Sequence, residues 1–160
     1  VTAGAARLVL AAAVAAAGAL PARADPACAP DRVDLRWPGG GEVFAVEVAD
    51  DAAERAQGLM FREAMDPASG MLFVYEAPRA VAFWMKNTLI PLDMIFADPA
   101  GRVTRVHAMA VPGDETPVEG GSGVQFVLEI NGGLAARLGI APGAELRHPS
   151  IGDGAAWPCN

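Results

Sequence analysis

Apolar and polar side chains alternate along Val33-Asp34-Leu35-Arg36-Trp37, the period of a half-buried strand. The run Pro38-Gly39-Gly40-Gly41 then turns the chain, and residues 42–48 read as the answering strand of a hairpin. Asp51 with Glu54 three residues later makes a capping box, and Gly58 supplies a stop, so a short helix is expected over 51–57. Asp66-Pro67 and Ser69-Gly70 mark a loop. Four further strands are expected at 71–75, 80–86, 92–97 and 102–109, separated by Pro78-Arg79, the stretch 87–91 and Asp98-Pro99-Ala100-Gly101. A flexible acidic loop is expected over 111–123. The strand after it, 124–130, leads to Asn131, placed to cap a short helix through Leu138 that Gly139 ends. Pro142-Gly143 turns into a last short strand at 145–147, and 149–160 reads as an extended tail held by Trp157 and Cys159. Roughly eight short strands with two short helices specify a β-rich α+β fold, a compact and mainly antiparallel sheet or barrel-like domain.

Composition narrows the class. The chain has 160 residues, 52% hydrophobic and 19% charged, which suits one folded domain and not a disordered one. Its net charge of -7 and pI near 4.7 provide no basic face for phosphates, so nucleic acid is not an expected partner. No internal repeat is visible.

Residues 1–24 have the parts of a secretory signal peptide: Arg7, an apolar run from Leu8 to Ala17, and the small-residue exit Pro21-Ala22-Arg23-Ala24. Cleavage after Ala24 is expected, leaving a single domain over 25–160 in the periplasm or outside the cell, with no transmembrane span. Cys28 and Cys159 then sit near the two ends of the mature chain. In an exported protein such a pair is expected to be bridged. A Cys28–Cys159 disulfide closes a long loop, a stabilisation of about 4–5 kcal/mol in the chain-entropy account.

A succession of motifs runs through the domain. Glu54-Arg55-x-x-Gly58-Leu59-Met60-Phe61-Arg62 is followed by Ser69-Gly70-Met71-Leu72-Phe73, then by Phe83-Trp84-Met85-Lys86-Asn87-Thr88 and Ile90-Pro91-Leu92-Asp93-Met94-Ile95-Phe96. Val127-Leu128-Glu129-Ile130-Asn131-Gly132-Gly133 and Leu138-Gly139-Ile140-x-Pro142-Gly143 complete it. Taken in order, over about residues 42–147, these resemble the family called domain of unknown function 192. The resemblance implies a compact β-rich fold with short helices, often exported in bacteria. It implies no activity.

The densest chemistry lies at Trp84, Lys86, Asn87, Thr88 and Asp93. Lys86 is the sole lysine of the chain. A strand over 80–86 puts Ala82, Trp84 and Lys86 on one face, and the 87–91 connection can return Asp93 close to Lys86. Such a cluster suits a carboxylate or sugar ligand, or a lysine of lowered pKa; the alternative is a structural ion pair at a hairpin mouth. Arg62 and Arg79 can join Lys86 in a basic pocket, or pair with Glu63, Glu76 or Asp66. Glu129 can serve as acid, base or anchor, or pair with an Arg at the sheet rim. No metal site is expected, because His107 and His148 lack ligand-spaced partners, and no cofactor is expected.

Three readings stay open on sequence. The first is a binding or interaction module, for an unknown small molecule or envelope partner, with a cleft around Trp84, Lys86 and Asp93; Arg62, Asn87, Thr88 and Glu129 are its further candidates. The second is an envelope accessory protein whose motif residues secure the fold. The third is an undescribed enzyme using Lys86 with Asp93 or Glu129.

Overall fold

The computed structural model describes residues 27–159, so the expected leader at 1–24 lies outside the described residues. Strands β1 (Arg32–Trp37) and β2 (Gly40–Ala49) pair antiparallel across a turn in which Gly39 takes a positive φ of 91°. Helix α1 (Ala52–Gln57) begins at the expected capping box. The Glu54 amide donates to Asp51 Oδ1 at 2.8 Å, and the Asp51 amide donates to Glu54 Oε2 at 3.4 Å. That crossover returns the chain as β3 (Ser69–Phe83), which lies parallel to β2. Strands β4 (Leu92–Ala97), β5 (Val103–Ala110) and β6 (Val118–Asn131) follow, then helix α2 (Leu134–Leu138) and strand β7 (Glu145–Arg147).

The seven strands form one sheet in the order β5-β4-β6-β3-β2-β1-β7, antiparallel at every junction except β2–β3. Strand β4 is buried along its whole length because both faces of the sheet carry a core. One face packs Phe44, Leu72, Ile95, Leu128 and Leu146 under α2 and the C-terminal segment. The opposite face packs Phe73, Met94, Phe96 and Val127 with Leu59 and Met85. The β3–β6 ribbon supplies the cover on this second face. Its pairing is irregular between Val74 and Ala82, and it curls until Gly120 sits on Phe96. A Cβ at Gly120 would lie 2.4 Å from the Phe96 ring, so the curl needs a glycine there.

The ends are tied to the β1–β7 edge. Cys28 and Cys159 are joined. Trp157 lies over the guanidinium groups of Arg36 and Arg147 at 4.5 and 4.3 Å. Arg147 donates from Nε and Nη2 to Asp34 Oδ2, at 2.9 and 2.5 Å, in a buried pair.

Several local expectations differ from the structure. The separate strands at 71–75 and 80–86 are one strand, which ends at Phe83, so Trp84 and Lys86 lie beyond it and the shared face with Ala82 does not form. The loop expected over 111–123 is shorter, because β6 starts at Val118 and takes the Gly-rich stretch into the curl. Gly133, in the left-handed conformation, caps α2 in place of Asn131, whose amide donates instead to the Met65 and Asp66 carbonyls. The tail is not extended throughout: Pro149–Gly154 forms a 3-10 helix.

Candidate functional site

Two turns stitched together form the floor of the site. After α1 the chain passes Gly58, whose φ of 49° and N–H bond to the Glu54 carbonyl end the helix. At Phe61 and Asn87 the backbone adopts positive φ, 65° and 55°, which non-glycine residues seldom do. The two are bonded to each other: the Phe61 amide donates to the Asn87 carbonyl at 2.8 Å. The 84–88 turn closes on itself through the Thr88 amide and Met85 carbonyl at 3.0 Å. Its other side is held by the Met85 amide, which donates to the Asp114 carbonyl at 2.7 Å.

These turns meet β3 and β6 around a pocket of about 40 Å³. Arg55, Leu59 and Met60 come from α1 and the turn after it. Phe73 and Phe83, edge-to-face at 5.0 Å, come from β3, and Trp84 and Thr88 from the second turn. Glu129 of β6 completes the lining.

Glu129 is the unusual member. It is only 4% exposed, on a strand whose neighbours are apolar. No hydrogen bond or ion pair joins its carboxyl to any described residue. Among the described residues no fully enclosed side-chain oxygen or nitrogen lacks a partner. The unpartnered carboxyl oxygens must therefore keep the residual exposure, and they keep it toward the pocket. Burial pushes the Glu129 carboxyl up to about 8, so it holds its proton at neutral pH. A native protein rarely tolerates such a group without a use for it.

The other candidates part company. Strand alternation puts Asp93 with Ile95 and Ala97 on the α2 face and Glu129 with Val127 on the opposite face. Asp93 is saturated by backbone amides. Oδ1 accepts from Met109 and Gly133, both at 2.8 Å, and Oδ2 accepts from Ala135 at 2.7 Å, which fixes α2 on the sheet. Lys86 reaches Glu115 at 3.9 Å and lies over the Trp84 ring at 5.1 Å. The expected approach of Asp93 to Lys86 does not form. No basic pocket forms either. Arg62 forks onto Glu47 at 2.5 and 2.6 Å, a partner that sequence proximity did not suggest, and Arg79 stands over Tyr75. Asn87 faces out, its amide 3.8 Å from the Met60 sulfur. Of the seven ligand candidates, Trp84, Thr88 and Glu129 share one pocket. The walls contributed by Arg55, Leu59, Met60 and Phe83 were visible in the sequence as motif residues and not as site residues.

Asp93→Asn and Lys86→Met are expected to separate cleanly in urea unfolding. Asn at 93 turns an amide nitrogen toward a buried N–H and should lose about 3 kcal/mol. Loss of an exposed, long ion pair at Lys86 should stay within about 0.5 kcal/mol. Equal losses would contradict this placement of the two side chains.

A wider groove, about 580 Å³, runs along β5 toward the start of β6. Its Arg105, Asp114 and Glu119 are all solvent-exposed, so its size is not matched by any buried polar group seeking a partner.

The family described as DUF192, an uncharacterized ACR, matches residues 35–148. The chain is similar to a solved protein of unknown function from Novosphingobium aromaticivorans DSM 12444, with 48% identity and a TM-score of 0.70 over 72% of this chain and 82% of that one. It is also similar to a solved protein from Sinorhizobium meliloti 1021, provisionally described as a transcription regulator. That match has 40% identity and a TM-score of 0.73, over 79% of this chain and 98% of that one. No curated protein matches.

Proposed function

Because the chain belongs to the domain of unknown function 192 family, whose name carries no activity, we propose its function from the pocket: a ligand-binding module that seats a small polar group on Glu129 beneath Trp84 and Thr88. The observation that carries this is the buried carboxyl with no partner, open to a pocket walled by aromatic rings. Trp84 supports it, being 49% exposed at the rim where an apolar ligand body would lie. In an NMR titration with small fragments bearing amine, hydroxyl, amide or carboxylate heads, at least one class should shift the Trp84 indole, the Thr88 amide and the residue 129 amide together. Glu129→Gln should weaken that response. Silence at all three positions across every class would sink the reading and favour motif residues that serve only the fold.

The enzyme alternative loses its Lys86–Asp93 pair, since Asp93 is occupied by three amides. A DNA-binding role, which the Sinorhizobium description raises, is disfavoured by the acidic charge of -7.

Export is part of the same proposal. The leader-like pattern at 1–24 and the Cys28–Cys159 bridge, which suits an oxidising compartment, both support it. Protein recovered from the periplasm of an expressing bacterium should have an intact mass that begins at Asp25 and lacks the thiol hydrogens. A mass that retains 1–24 would argue for a cytoplasmic or anchored protein.

A further inference from the structure

Resting on the reading of the Glu129 pocket as a ligand site, we infer that the group it seats is a primary ammonium, the end of an aliphatic amine. Space sets the first limit. About 40 Å³ takes one group the size of a water molecule or an ammonium, and the rest of a ligand must lie at the open rim beside Trp84. Charge sets the second. An anionic head can meet only the protonated carboxyl of Glu129, whereas an ammonium can pair with its ionised form, beside the aromatic side chains of Phe73, Phe83 and Trp84. A hydroxyl gains a hydrogen bond to Glu129 without the charge pairing. The Trp84 indole already receives one ammonium, that of Lys86 at 5.1 Å.

The surrounding charges leave room for a cation. Arg55 is the opposing charge on the lining, and its guanidinium is engaged. Nη1 donates to the carbonyls of Asp50 and Val74, Nη2 pairs with Glu76, and the group lies over Tyr75 at 5.1 Å. On β3 the ionisable neighbours are Tyr75, Glu76 and Arg79, the last held over the Tyr75 ring at 5.6 Å, on the 84–88 turn Lys86 is paired with Glu115, and β4 places the uncharged Met94 opposite Glu129. Because burial keeps Glu129 protonated near neutrality, seating an ammonium displaces that proton to solvent and leaves a carboxylate accepting N–H bonds.

Titration of the oxidised protein with n-butylammonium chloride, n-butanol and butyrate, by calorimetry in two buffers of different ionisation heat and by NMR, tests the inference. Butylammonium should bind best, with nearly one proton released per ligand at pH 7. Its affinity should rise about tenfold from pH 7 to pH 9 as Glu129 ionises. The midpoint of the Glu129 carboxyl, followed by ¹³C NMR in the unmutated chain, should fall when butylammonium saturates it. Glu129→Gln should lose both the binding and the proton release. If butanol shifts Trp84 and Thr88 as strongly, without proton release, the ammonium inference falls and the ligand site stands. Butylammonium binding that survives Glu129→Gln overturns it too. If none of the three probes moves these residues, the inference and the site reading fall together.

Discussion

Glu129→Gln should make the protein more stable at pH 8 by about 4 kcal/mol, and the gain should shrink toward zero near pH 5. The sign follows from where the proton sits. Burial raises the folded-state pKa of Glu129 from 4.5 to about 8. Between those values the folded chain keeps a proton that the unfolded chain releases. The stability tied to that proton is fully present below pH 4.5 and is lost as pH rises through 8. Gln has no proton to lose and fills nearly the same volume. Urea unfolding at pH 5, 7 and 8 for both proteins gives the comparison, and two parallel profiles would refute it. His148 contributes with the opposite slope. Burial lowers its pKa, its neutral ring bonds the Pro30 carbonyl and the Ser150 amide, and its contribution is lost as pH falls below 6.5. His148 is common to both chains, so the difference isolates Glu129.

Cys28→Ser should cost about 5 kcal/mol, the largest loss expected from any single change described above. The bridge spans 131 residues of sequence, so its removal returns to the unfolded chain the freedom of a very long loop. It also releases the tail that sets Trp157 over Arg147 beside the buried Asp34. The oxidised protein without and with a reducing agent should reproduce the shift seen between the parent and Cys28→Ser. A loss under about 1 kcal/mol would mean that the strands hold the ends in register unaided.

Much of this fold was legible because its signals are local. The alternation at 33–37, the Asp51–Glu54 box and the glycines at 39 and 58 act over a few residues, and their elements form where expected. The site was less legible because it depends on which face of a central strand meets which turn. Lys86 drew attention as the sole lysine, yet β3 stops at Phe83 and its ammonium goes to an indole and Glu115. Asp93 and Glu129 look equivalent as acidic residues in apolar strands. They lie on opposite faces, one satisfied by three amides and the other by none. Nothing local distinguishes a carboxyl that meets a helix start from one that meets a pocket. The curl of β3–β6 was hidden too, because its cause is the contact of Gly120 with Phe96, far along the chain.

The place of β6 in the sheet governs when the molecule can assemble. It lies between β4 and β3, and so joins the β4–β5 hairpin to the group formed by β1, β2 and β3. Neither group touches the other through strand pairing until β6 is laid between them. Its register, from Gly70 opposite Ile130 to Phe83 opposite Val118, pairs segments far apart in sequence, and such non-local closure is slow. A chain delivered to its folding compartment from the N-terminus therefore has two incomplete half-sheets until residue 131 arrives, and the cooperative step comes late.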